Sequence, residues 1–204
     1  MIKTANFQKA SDLAYDILME HSTGTLPIDI FKIIRHNFPE IILMTFTEWK
    51  KKSKHECEML EVFGSDQGVV FYNGVKYCII YNDKKCFQTQ RWTVAHELGH
   101  ILLDHVKDDD YLKFSSKDSP YENEANTFAK HLLVPFPVAK YLFTVFDRHV
   151  IYPHDIENVF DVGPEASEHI IDHFNKLYYF PTNPVLEGKF SGTLTRLCKN
   201  NNCS

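Results

Sequence analysis

The chain is short of most features that announce a function through composition. No apolar run approaches the roughly 20 residues needed to cross a bilayer, and the start, MIKTANFQKASDLAYDIL, lacks the basic, apolar and small-residue blocks of an export signal. The expectation is a protein kept in the cytoplasm, with no membrane partner. There is no excess of positive charge either: 22 Lys and Arg stand against 27 Asp and Glu, a net charge of -5. A protein that coats nucleic acid normally needs a basic surface, so direct nucleic-acid binding is not expected; KKKSK at 50–54 is the one obvious basic run. Five cysteines, an odd number without framework spacing, exclude a disulfide scaffold and suit a reducing compartment. Two of them, Cys198 and Cys203, frame CKNNNC at the C-terminus, which reads as a tail with two thiols or as half of a zinc site lacking its second pair of ligands. There is no internal repeat and no Pro/Gly/Ser-rich linker, so 204 residues with 44% hydrophobic content suit one compact domain, or a domain with a small appendage.

What is present is a clear alternation of periods. FQKASDLAYDILMEH, residues 7–21, sets Ala10, Leu13, Ala14, Ile17 and Leu18 on one helical face. A second short helix is expected between Gly24 and Pro39, carrying Ile30, Ile33 and Ile34, and IILMTF at 41–46 has the length and character of a strand. Residues 47–60 are charged and lean only weakly to helix. GVVFYNGVKYCIIYND, 68–83, predicts a hairpin turning at Asn73-Gly74, a pair favoured where both turn residues need positive φ. A long helix then runs from about Thr89 to about 106, an irregular polar stretch KDDDYLKFSSKDSP follows, and a further helix spans about 121–133. Beyond VAKYLFTVF, two helices flank a tight Asp161-Val162-Gly163 turn with Pro164 opening the second.

The long helix holds RWTVAHELGHILLDH. Residues four apart on a helix share a face, so His96 and His100 present two imidazoles to one point, and both can reach a zinc ion at about 2.0–2.1 Å. Glu97 stands beside the first, placed to take a proton from water at the metal without being a ligand. Three polar groups between the apolar flanks WTVA and ILL would otherwise need partners inside a buried helix. Gly99, a poor helix former, marks a place where another element comes close. A catalytic zinc needs a third ligand. The metzincin pattern would put a Gly at 103 and a His at 106, where this chain has Leu103 and Val106; His105 falls one residue short. The other common source is a glutamate on a second helix, and YENEANTFAKHLLVP offers Glu122 and Glu124. His131 on that helix reads as a packed or exposed histidine rather than a ligand.

Together, RWTVAHELGHILLDH and, about twenty residues on, ENEANTFAKHLLVP resemble the ImmA/IrrE family of metallopeptidases, whose pattern pairs HELGH with an E-x-x-A-N-x-F-A helix ending in Leu-Leu-hydrophobic-Pro. The likeness extends more loosely over about 60–180. It implies that Glu122 is the third zinc ligand and that Asn126, one turn further along the same face, supports a zinc histidine from behind. It further implies an α+β fold: a zincin-like core with a small mixed β-sheet packed on the HExxH helix, and a helical C-terminal part. The division expected is 1–135 for the N-terminal helices, sheet and catalytic core, and 136–204 for a helical subdomain with helix-turn-helix-like packing and a short Cys-containing tail.

The activity implied is zinc-dependent endopeptidase hydrolysis with Glu97 as general base, His96, His100 and Glu122 as ligands, and no organic cofactor; manganese or iron suits the same donors. The oxyanion donor is left open among His149, His154, Tyr178 and Tyr179, and the 68–83 hairpin is a plausible neighbour for a substrate bound as an added strand. The resemblance implies a substrate class too, a helix-turn-helix transcriptional repressor of a phage or mobile element, which the chain would inactivate as an anti-repressor. The helix pair around Gly163 is itself acidic, with Asp161, Glu165, Glu168 and Asp172, and so suits packing or protein docking rather than phosphate contact. The alternative is a non-proteolytic, zinc-stabilised regulator that works by binding a repressor or a toxin-antitoxin partner; an intact Glu97 favours the enzyme.

Overall fold

In the computed structural model, described for residues 4–54, 56–107, 119–147, 149–177 and 179–201, the chain divides into two units. One comprises Met1–Asp12 with Ile30–Ala129, the other Leu13–Asp29 with Lys130–Ser204. The helices are α1 (Phe7–His21), α2 (Ile30–Asn37), α3 (Phe46–Ser53), α4 (Met59–Phe63), α5 (Phe87–Leu102), α6 (Pro120–Leu133), α7 (Phe136–Ala139), α8 (Leu142–Val145), α9 (Pro153–Phe160), α10 (Pro164–Lys176) and α11 (Pro184–Asn201); the strands are β1 (Ile41–Thr45), β2 (Gly68–Tyr72) and β3 (Tyr77–Tyr81). The α+β class expected from the sequence is the one observed. The irregular stretch expected at 107–120 lies largely outside the described residues, as does Cys203.

The first unit is organised by its sheet. The strand order is β1-β3-β2, with β1 parallel and β2 antiparallel to the central strand. Strand β3 is apolar along its length because both of its faces are covered: Cys78, Ile79, Ile80 and Tyr81 are all buried. Ile80 faces a cluster with Phe46 and Met59, flanked by Met44, Trp49, Phe63, Val69 and Phe71, so the charged 46–63 region folds as two short helices that cap one side of the sheet. A capping box fixes the start of α3, Thr45 Oγ1 accepting from the Glu48 amide at 3.0 Å while Glu48 accepts from the Thr45 amide at 2.8 Å.

The hairpin turns one residue later than Asn73-Gly74. Asn73 and Lys76 form the closing pair, Asn73 N–H donating to Lys76 O at 3.0 Å, and only Gly74 in the turn has positive φ, at 90°. The central pair is therefore Gly74-Val75, with glycine in the first position. The Asn73 side chain instead accepts from the amides of Val75 and Lys76, at 3.0 and 2.8 Å. Helix α5 lies against β2 and β3. Gly68 makes this approach possible, since a Cβ there would collide with the Thr93 methyl and stand 3.4 Å from Glu97 Oε1.

The second unit is helical. Asp161, in the left-handed region at φ 52°, ends α9, and Pro164 opens α10. Ser167 Oγ donates to Glu157 Oε1 at 2.8 Å to join the two helices. Helix α11, 18 residues long, occupies a region that sequence periodicity left without an element. Leu186, Phe190 and Leu194 bury one stripe of it, but Gly188 and Gly192 within the same turns weaken the helical signal. Its first turn is held by Glu187, which accepts from Lys140 Nζ and Tyr141 Oη, both at 2.7 Å.

Candidate metal centre

Two helices of the first unit bring the polar groups together. On α5, His96, Glu97 and His100 project where the helix is otherwise apolar, between Val94, Ala95, Leu98 and Ile101, all buried. On α6, Glu122 sits in the first turn, with its amide donating to Ser119 Oγ at 3.2 Å. The two helices can meet because Gly99 carries no side chain; a Cβ there would stand 3.0 Å from a Phe128 ring carbon and 3.3 Å from Ala125 Cα. Close approach is what the glycine signals in the sequence.

Three donor side chains converge. His96 Nε2 lies 3.2 Å from Glu122 Oε2, His100 Nε2 lies 3.3 Å from Glu122 Oε1, and the two Nε2 atoms are 3.0 Å apart. Ligands about 2.0–2.1 Å from a tetrahedral ion are separated by about 3.3–3.4 Å, so these contacts, which engage both Glu122 oxygens, are close to the spacing of ligands around one ion. His96, His100 and Glu122 form the one such group among the described residues able to hold a metal ion. His100 is nearly inaccessible at 1%, while His96 and Glu122 retain 16% and 25% of their side-chain exposure, leaving one side of the triangle open.

Each imidazole is held from behind. Asn126 Oδ1 accepts from His96 Nδ1 at 3.0 Å, which fixes the proton on Nδ1 and leaves the Nε2 lone pair facing the group. Behind His100 stands a residue that sequence reasoning set aside. His105 Nδ1 is 3.0 Å from His100 Nδ1, and its Nε2 is 2.8 Å from Glu124 Oε2; the other Glu124 oxygen accepts from the Asn6 amide at 2.6 Å. Of the two glutamates that spacing left open, Glu122 meets the histidines of α5 and Glu124 meets His105.

Charge within the group follows from burial and these partners. Burial pushes the Glu97 carboxyl up to about 7, with His96 opposing and Glu122 reinforcing that rise. Burial holds His100 down at about 4 despite the Glu122 carboxylate beside it. For His96, burial would lower the proton affinity, but Glu122 and Glu97 outweigh it and the net direction is up. Glu122 is driven well below the usual carboxylate range: burial would raise it, and the imidazoles of His100 and His96 opposite it outweigh that.

The remaining candidates are placed elsewhere. His131 belongs to the second unit, where its Nδ1 is hydrogen-bonded to the Tyr15 hydroxyl at 2.7 Å. His149 and Tyr179 are exposed, and His154, also exposed, stacks on Tyr152; Tyr178 lies outside the described residues. Cys198 is half-buried on α11.

A His-Glu-x-x-His helix joined by a glutamate from the next long helix, beside a small mixed sheet, defines a metallopeptidase-like domain. No curated protein matches the chain. The peptidase M78 family model, described as the IrrE N-terminal-like domain, matches residues 51–171, and the chain belongs to that family. No helix among the described residues is long and apolar enough to cross a membrane.

Proposed function

We propose that this chain is a zinc-dependent endopeptidase that works in the cytoplasm on a specific protein, a helix-turn-helix repressor of a phage or mobile element. The observation that carries the reading is the triangle of His96 Nε2, His100 Nε2 and Glu122 at 3.0–3.3 Å with Glu97 buried on the same helix. A metal held only for structure would gain nothing from a buried carboxyl at that position.

In this reading His96, His100 and Glu122 hold the ion and Asn126 orients His96. When bound, the ion supplies Lewis-acid polarisation of the scissile carbonyl and an acidified water. Glu97 takes the proton of the attacking water and returns it to the leaving amine. Before an ion is bound, burial raises its carboxyl to about 7, which makes it a stronger base than an exposed glutamate. The substrate adds as a strand along β2, the terminal strand of the sheet, whose Gly68 stands directly against Glu97. The choice of a repressor as substrate rests on the resemblance to ImmA/IrrE proteins and on the acidic α10, which suits a protein partner better than DNA.

The test is co-expression of the chain, wild type and Glu97→Gln, with the helix-turn-helix repressor encoded nearest its gene, followed by intact-mass spectrometry of the repressor. A discrete cut with the wild type alone supports the endopeptidase. A repressor that stays whole but is silenced by both forms replaces it with a regulator that acts by binding.

A further inference from the structure

We infer that His105 and Glu124 form a positioning pair that locks His100 in the one tautomer able to bind a metal. The inference rests on the metal-site reading above and deepens it. Starting from the far end, Glu124 accepts on both oxygens: from the Asn6 amide at 2.6 Å and from His105 Nε2 at 2.8 Å. A carboxylate offers no proton, so a neutral His105 carries its proton on Nε2 and leaves its Nδ1 as an acceptor. The atom 3.0 Å away, His100 Nδ1, must then be the donor. With its proton on Nδ1, His100 has a bare Nε2, the atom that meets Glu122 and His96. With His105 neutral, the hydrogen bonds run in one direction, from His100 through His105 to Glu124.

The local fold closes this chain. On a continuing helix, a residue five positions after His100 would point about 140° away from it. Helix α5 instead ends at Leu102, Asp104 adopts the left-handed conformation at φ 63°, and a 3₁₀ turn, His105–Lys107, brings the imidazole back beneath His100. His105 and Glu124 are both buried. The two ligand histidines are therefore supported unequally, His96 by a neutral amide and the more deeply buried His100 by an imidazole that a carboxylate polarises.

The experiment reads the tautomer and the metal separately. Long-range ¹H–¹⁵N spectra of the metal-free wild-type chain at about pH 8, where imidazoles are neutral, should show the His100 proton on Nδ1; a proton on Nε2 overturns the inference. Zinc affinity is then measured by competition with a chromophoric chelator. His105→Leu, which fills the space without hydrogen-bonding groups, should weaken zinc about 10–100-fold. His105→Gln, which keeps one acceptor and one donor, should recover most of that loss. Equal zinc affinity for wild type and His105→Leu also overturns the inference. A wild-type chain that binds no zinc yet carries the proton on Nδ1 sinks the metal-site reading and leaves the tautomer lock standing.

Discussion

Two groups of buried and half-buried histidines can be set side by side, one where α5 meets the first turns of α6, the other at the last turn of α6 with α1 and α10. In the first, His96 and His100 face a shared carboxylate with their Nε2 atoms, and their Nδ1 atoms are occupied from behind. In the second, His131 has its Nδ1 on the Tyr15 hydroxyl, its ring against Phe136 at 4.4 Å, and basic neighbours in Lys130 and His173, themselves joined at 3.0 Å. Burial drives His131 down to about 3, and the positive charge of Lys130 and His173 pushes the same way. Both groups bury imidazoles, and only the first gives them a negative partner on the metal-facing side. Burial alone makes a neutral histidine; the carboxylate opposite makes it a candidate ligand.

That difference breaks down if the wrong substitution removes the metal. Glu122→Ala should weaken zinc by more than the roughly 100-fold expected for losing a supporting residue, whereas His131→Ala should leave chelator-competition affinity unchanged. Glu97→Gln separates binding from chemistry: hydrolysis of the substrate should fall about 10²–10⁴-fold with zinc affinity within a few-fold of wild type. Gly99→Ala forces a methyl against Phe128 and Ala125, and urea denaturation should show a loss of about 1–3 kcal/mol. Tyr15→Phe strips His131 Nδ1 of its partner and should cost a similar or smaller amount, about 1–3 kcal/mol, without moving zinc affinity.

A separate effect is in the pH dependence of the metal-free protein. Unfolded histidines titrate near 6.5, while His100 and His131 are held at about 4 and about 3 in the fold. Below 6.5 the unfolded chain takes protons that the fold refuses, so these two groups make stability fall as pH falls. Glu97 acts oppositely: its carboxyl, raised from 4.5 to about 7, favours the fold below 4.5 and loses that contribution as pH rises through 7. Urea titrations across this range should therefore show Glu97→Gln gaining on wild type above pH 7, and His131→Phe with a shallower fall in acid.

Much of the site was legible because helical period carries it. His96, Glu97 and His100 follow from a four-residue repeat on an apolar helix, and Gly99 announces the crossing with α6. Spacing could not choose between Glu122 and Glu124, since both precede the apolar stripe of α6 and the choice depends on where α6 crosses α5. The His105 and Glu124 pair was invisible for a different reason: it depends on a left-handed Asp104 after the helix end, and a side chain's return through a turn leaves no period to read. The hairpin shows the same limit, its strands plain from β-branched runs but its turn shifted because the Asn73 side chain caps two amides. Helix α11 was missed because its apolar stripe is sparse and broken by glycines.

The most direct measurement is anomalous diffraction at the zinc edge from crystals of the zinc-loaded chain. The account predicts one peak per chain, about 2.0–2.2 Å from His96 Nε2, His100 Nε2 and a Glu122 oxygen. A peak held by other residues, at His131 and His173 or at Cys198, with none between α5 and α6, would contradict it.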